Sequence, residues 1–201
     1  MLVQNRMTNN PETISPDEFL TSGLGKMQKG GFRRLPVVKD DKLIGIITDR
    51  DLREHAGLLE RTKVSSAMTK DLMTVTPRAT VEQATKLMLS HKISGLPVTD
   101  ADAGNLVGII TSSDILQAFL EMLGASEEGS FRIDFVLDEK HDLVLASQTI
   151  AERGGEVLGV GTHKDKWEEN RVCYLHLRGT DPRRFADALE AKGYTVLGVY
   201  G

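Results

Sequence analysis

Two short stretches set a hydroxyl and a carboxylate three residues apart, each behind an apolar β-branched run. Thr48-Asp49-Arg50-Asp51 follows Gly45-Ile46-Ile47, and Thr111-Ser112-Ser113-Asp114 follows Gly108-Ile109-Ile110. An ionised carboxylate only accepts hydrogen bonds, has room for several, and makes them stronger than a neutral acceptor does. Asp51 and Asp114 can therefore accept from two hydroxyls of a ligand, with Thr48 and Thr111 as further contacts. Ser113 adds a hydroxyl where the first stretch has Arg50. The same spacing has a plainer use. Thr at a helix N-cap with Asp at the third helical position is ordinary capping chemistry. Spacing leaves both readings open, since a duplicated cap is still a cap.

The elements that must hold these groups also occur twice. Leu43–Ile47 and Leu106–Ile110 read as buried strands, and the residues after each Thr read as a helix start. Met7-Thr8 recurs as Met68-Thr69, Thr13-Ile14-Ser15-Pro16 as Thr74-Val75-Thr76-Pro77, and Leu35-Pro36-Val37 as Leu96-Pro97-Val98, each 61 residues on. Gly45 and Gly108 stand 63 apart, so two residues are inserted between them, in the polar stretch Asp100–Asn105. This period is too long for a solenoid unit and fits a duplicated small domain. Ser15 with Glu18 reads as a capping box with Pro16 at the first helical position, opening a helix that Gly23 and Gly25 weaken and Gly30-Gly31 ends. Thr80 with Gln83 reads as a cleaner box.

After Leu123 the repeat stops. Residues 124–130 are small and polar, a linker composition. Phe131–Leu137, Val157–Thr162, Arg171–Arg178 and Tyr194–Tyr200 read as strands, with helices over Leu143–Arg153 and from Asp181-Pro182 to Lys192. The order βαββαβ predicts a small antiparallel sheet with both helices on one face. Trp167, in a charged loop over His163–Asn170, reads as a packing lid. Cys173 falls on the apolar face and His176 on the opposite one.

The chain has 201 residues and a net charge of −4, which argues against a nucleic-acid footprint. One cysteine excludes a disulfide framework and a thiolate metal site. No apolar run approaches the ~18 residues of a membrane span, and the first residues lack a signal-peptide core, so a soluble cytoplasmic protein is expected. There is no nucleophile elbow, P-loop or His-Glu-x-x-His, and His55, His91, His141, His163 and His176 are scattered. An enzyme is not expected, and no cofactor or metal is required.

Through the duplicated Met-Thr start, Leu-Pro-Val strand and Gly-Ile-Ile-Thr-x-x-Asp corner, the first part resembles a tandem pair of CBS domains. The partition is 1–62, 63–124, a linker at 125–130, and 131–201. By element order the last segment resembles an ACT domain, and the whole resembles the acetoin-utilisation AcuB-like group. The fold class is thus α/β (α+β), a CBS pair followed by a ferredoxin-like domain. The resemblance implies a regulatory protein binding AMP, ADP, ATP or S-adenosylmethionine in the cleft of the pair. Asp51 and Asp114 match the ribose-binding position, with Thr48, Thr111 and Ser113 near ribose or phosphate. The helix N-terminus at each corner favours a phosphate. Arg33, Arg34 and Lys92 are candidate phosphate partners, although the arginines also fit a solvated edge. Adenine would be read by backbone groups at Thr13-Ile14 and Thr74-Val75. If one site is used, the extra hydroxyl favours the Asp114 corner.

For the ACT-like segment the resemblance implies amino-acid binding where a glycine follows the first strand. Here Asp138-Glu139-Lys140-His141-Asp142 has none, so homodimer formation or contact with a protein partner is the expected role. The rival readings are a ligand-free interaction module and an amino-acid sensor.

Overall fold

The computed structural model describes residues 1–101, 104–164 and 171–201. Trp167 lies outside the described residues, as does part of the inserted stretch. The chain divides into two units, Met1–Leu116 and Gln117–Gly201.

In the first unit, repeat one supplies α1 (Leu20–Gly30), β2 (Arg34–Lys39), β3 (Lys42–Thr48) and α2 (Asp49–Glu54), preceded by a short strand β1 (Thr8–Asn9). Repeat two supplies α3 (Val64–Ala67), α4 (Val81–His91), β4 (Gly95–Thr99), β5 (Leu106–Thr111) and the start of α5 (Ser112–Met122), which runs across the division between the units. β2 and β3 form an antiparallel hairpin turned at Asp40-Asp41, both with positive φ, as a two-residue hairpin loop of matching twist needs. β4 and β5 pair in the equivalent register. Leu35, Val37, Ile47 and Leu52 fill the core of repeat one with Leu20 and Met27, and Leu96, Val98, Ile110 and Ile115 are buried in the same places of repeat two.

The head of each repeat lies on the other repeat. Thr8 pairs with Ile109 of β5, and Thr69 bridges Ile46 of β3. The Val3 N–H donates to Ala79 and the Val81 N–H to Met1, while the Val64 N–H donates to Glu18 and the Leu20 N–H to Thr62. Gly45 and Gly108 mark the two crossings. A Cβ on Gly108 would stand 3.0 Å from the Thr8 carbonyl oxygen, and one on Gly45 3.1 Å from that of Thr69.

One predicted helix start is corrected. Glu18 does reach back to the Ser15 N–H at 2.9 Å, but this closes a turn, and α1 begins at Leu20 with Phe19 as an N-cap that makes no side-chain bond. Phe19 stands 61 residues before Thr80, which caps α4 with Gln83 as expected. Gly31, at φ 68°, ends α1.

The second unit runs β6 (Ser130–Leu137), α6 (Leu143–Glu152), β7 (Glu156–Lys164), β8 (Arg171–Arg178), α7 (Pro182–Ala191) and β9 (Val196–Tyr200). All neighbouring strands are antiparallel in the order β7-β8-β6-β9, so the expected βαββαβ sheet is present. Phe131, Ile133, Phe135, Cys173, Leu175 and Leu177 pack with Ile150 of α6 and Phe185 and Leu189 of α7. Asp142 caps α6, and Asp181 caps α7 with Pro182 at its first position. Burial, reinforced by the Asp134 charge, raises the Cys173 thiol to about 11. His176 takes the other face with Arg132, Asp134 and Tyr174. Arg132 holds Asp134 through two bonds of 2.6 and 2.7 Å and lies 4.4 Å from the Tyr174 ring centroid.

Candidate functional site

Both corners are caps. At the first, the Thr48 N–H and Oγ1–H each donate to Asp51 Oδ2 at 2.7 Å, and Asp51 N–H points back to Thr48 Oγ1 at 3.5 Å. At the second, the Thr111 N–H and Oγ1–H donate to Asp114 Oδ2 at 2.7 Å. One carboxylate oxygen therefore orders the corner. The other, Oδ1, has no hydrogen-bond partner among the described residues, so the cap leaves one oxygen of the group able to accept. The first helical N–H groups are already engaged: Asp49 N–H donates to Arg33 O and Ser112 N–H to Ser94 O. With α2 only six residues long, the expected phosphate seat at a helix N-terminus has little to offer at the first corner.

Each corner opens onto a cleft whose far wall belongs to the other repeat. The first cleft, of about 450 Å³, takes Thr48, Asp49 and Arg50 from the corner, and Asp71, Met73, His91, Lys92, Ile93 and Pro97 from repeat two. The second, of about 280 Å³, takes Thr111 and Asp114 from its corner, and Thr8, Glu12, Phe32 and Pro36 from the segment before and around β2. The wall residues correspond pair by pair: Ile93 to Phe32, Pro97 to Pro36, Met73 to Glu12. Arg34 lines both clefts. It donates to the Ser94 carbonyl oxygen, and to Ser94 Oγ at 2.6 Å. Its counterpart is Gly95, where a Cβ would collide with the Arg34 guanidinium, so the place between the clefts holds one arginine. Burial and then the Arg33 charge lower its pKa, and Asp49 and Asp114 oppose them, one carboxylate from each corner.

The CBS-domain family profile matches residues 3–57 and 64–121, more than half of the chain. This chain belongs to the CBS-domain family. Over 124 residues it is 36% identical to the inosine-5′-monophosphate dehydrogenase of Korarchaeum cryptofilum, covering 60% of this chain and 25% of that enzyme. The chain thus spans about a quarter of that relative's length. Solved structures share the CBS fold. The CBS pair of protein MJ0100, in complex with 5′-methylthioadenosine and S-adenosyl-L-methionine, has a TM-score of 0.55 at 29% identity, over 59% of this chain and 95% of that one. CBSX2 in complex with AMP has a TM-score of 0.52 at 31% identity, over 59% and 96%. A putative acetoin utilization protein (AcuB) from Vibrio cholerae has a TM-score of 0.55 at 34% identity, over 63% and 98%.

Within the CBS pair, Thr48, Thr111, Asp114, Arg34 and Lys92 line the clefts. Asp51 sits behind Thr48, and Asp49 and Arg50 occupy the first cleft's rim instead. Ser113 and Arg33 are exposed and line neither cleft. Ile14 and Val75 are buried, and their backbone groups are spent on the sheets: Ile14 N–H donates to Pro36 O and Val38 N–H to Ile14 O, with Val75 bonded likewise to Pro97 and Thr99. The Thr13 carbonyl accepts from Lys26 Nζ at 2.8 Å. Thr74 lines neither cleft. Sequence reasoning missed Thr8, Glu12, Phe32, Asp71 and His91. The signal for Thr8, and for Glu12 and Asp71 on the same crossing segments, is glycine in the repeated corner phrase, a strand position that marks close backbone approach.

Proposed function

We propose that this CBS pair is a regulatory module, not an enzyme, and that it holds an adenosine-containing ligand in its inter-repeat clefts. The observation that carries this reading is Asp114. One of its oxygens holds the corner, and the other has no partner among the described residues, beside a wall of Phe32, Pro36 and Ile109. An apolar cleft with one ordered carboxylate suits a flat base that carries a diol. The ligands in the MJ0100 and CBSX2 structures support the adenosine class. AMP, ADP, ATP and S-adenosylmethionine are the candidates. A ligand that touches both repeats favours whichever mutual arrangement of them it binds better.

On the same reading the chain is organised as 1–62, 63–124, a linker at 125–130 and an ACT-type domain at 131–201. That last domain assembles a cytoplasmic homodimer or meets a protein partner. The likeness to the Vibrio cholerae protein supports a role connected with acetoin use.

The test is a thermal melt with each candidate at about 1 mM. A ligand with a Kd near 10 μM adds about 2.7 kcal/mol at that concentration. A rise in Tm with an adenosine-bearing compound is expected, and Asp114→Ala removes it for any compound seated in the second cleft. No rise with any of them would leave an empty interaction module.

A further inference from the structure

The two clefts match in backbone and differ in charge. In the first, Arg34, Arg50 and Lys92 face Asp49 and Asp71. Asp49 is itself neutralised by Arg53 at 2.8 Å, and Arg50 by Glu54 at 3.0 Å. That leaves Arg34 and Lys92 against one carboxylate, with His91 beside them. In the second, Arg34 stands against Asp114 and Glu12, and Glu12 is paired in turn with Lys26 at 3.8 Å. Arg34 serves both clefts and so does not distinguish them. Lys92 and Glu12 do.

The backbone at Lys92 carries a second, independent observation. Lys92 ends α4 in the left-handed conformation, φ 54°, where the equivalent end of α1 has Gly31 at φ 68°. A lysine there is strained and a glycine is not. The first repeat shows that glycine serves the fold, so the backbone does not call for a lysine at this place, and Lys92 lines the first cleft.

Resting on the adenosine reading above, we infer that the pair sorts its ligands by charge: the cleft beside Lys92 takes a nucleoside phosphate, and the cleft beside Glu12 takes a nucleoside without phosphate. The phosphate is drawn by Lys92 and Arg34. The other cleft has Gly31 in place of that lysine, so Arg34 is set against Asp114 with Glu12 beside it, and Asp114 remains for the diol.

AMP and adenosine differ only in the phosphate and are the probes. In calorimetric titrations of the full chain, one AMP per chain is expected, and its affinity falls several-fold between about 50 and 300 mM NaCl, as surface charge attraction is screened. Adenosine binding is insensitive to salt. Lys92→Gly copies the first repeat and removes the strain, so its Tm is unchanged or raised. Its AMP affinity falls at least about tenfold, roughly the value of one charge-assisted hydrogen bond, while adenosine affinity stays within about twofold. Glu12→Lys raises AMP stoichiometry to two per chain. Equal loss of both ligands in Lys92→Gly, or two equivalent AMP sites in the unmodified chain, overturns the sorting and leaves the adenosine reading standing. No binding of either compound overturns both.

Discussion

A carboxylate has two oxygens, and each corner aspartate spends one of them on its cap. Because Oδ2 of Asp51 and of Asp114 accepts two bonds from its threonine, replacing either residue by alanine removes a cap. Each is expected to lower the stability of the ligand-free protein by about 1 kcal/mol, measured by urea denaturation. Asp114→Ala also removes the oxygen that faces the second cleft and weakens adenosine binding by about 1.5–3 kcal/mol. Asp51, set behind Thr48, affects ligand less than stability, and equal binding losses in the two variants would contradict that division. The cap was legible in the sequence, because Thr-x-x-Asp is local, whereas the ligand role rests on the family resemblance. Glu12 and Asp71 were not legible, because they reach a cleft only through the other repeat.

His176 is a residue-scale case in the second unit. It is half-buried and its Nδ1 has no hydrogen-bond partner among the described residues. Burial and the Arg132 charge lower its pKa, against the pull of Asp134. The unfolded chain, with a histidine near ~6.5, therefore binds more protons than the folded one below that pH. Its contribution to stability is present above pH ~6.5 and is lost as pH falls toward the lower folded value. Urea midpoints at pH 7.5 and 5.5 should differ in this sense, and His176→Gln should narrow the gap. The lowered carboxylates Glu18 and Asp138 act only at more acid pH, below their ordinary values, so the windows are separate. An unchanged gap in the variant would assign the loss to another group.

At the scale of elements, α1 shows where local reading went astray. Ser15 and Glu18 satisfy the pattern of a capping box and make its reciprocal bond, yet the chain between them only turns. The register of the duplication puts Phe19 opposite Thr80, and that long-range cue outweighs the local one. The glycines of α1 have different reasons. A Cβ at Gly23 would meet Ile14 Cδ1 at 3.3 Å in the core, whereas one at Gly25 meets nothing within 4 Å. Gly25→Ala is therefore expected to stabilise by about 0.5–1 kcal/mol, the helix-propensity difference alone. Gly23→Ala gains less or turns destabilising. A larger gain at Gly23 than at Gly25, from thermal melts, would mean that Ile14 yields freely and that the core there is loose.

For the whole molecule the decisive feature is the exchange of repeat heads. The duplication is plain in the sequence, but Met7-Thr8 and Met68-Thr69 read as the starts of their own repeats, since nothing in the local pattern says that a segment pairs with the other half. The exchange makes each cleft a product of both repeats, and it gives each crossing its own glycine. A Cβ on Gly108 would press on Met7 Sδ at 2.6 Å and on the Thr8 carbonyl; a Cβ on Gly45 would press on Met68 Sδ at 2.6 Å and on the Thr69 carbonyl. A thioether can swing aside, but a paired backbone carbonyl cannot without loosening its strand. Each glycine-to-alanine change should cost about 1–3 kcal/mol, the usual range for overpacking. The effects on ligand should be reciprocal. Thr8 and Glu12 wall the second cleft and Thr69 and Asp71 the first, so Gly108→Ala weakens adenosine more than AMP, and Gly45→Ala weakens AMP more than adenosine. If both variants weakened both ligands alike, the two walls would be moving as one body, and the clefts would be coupled through the sheets rather than set independently by the segment that crosses each.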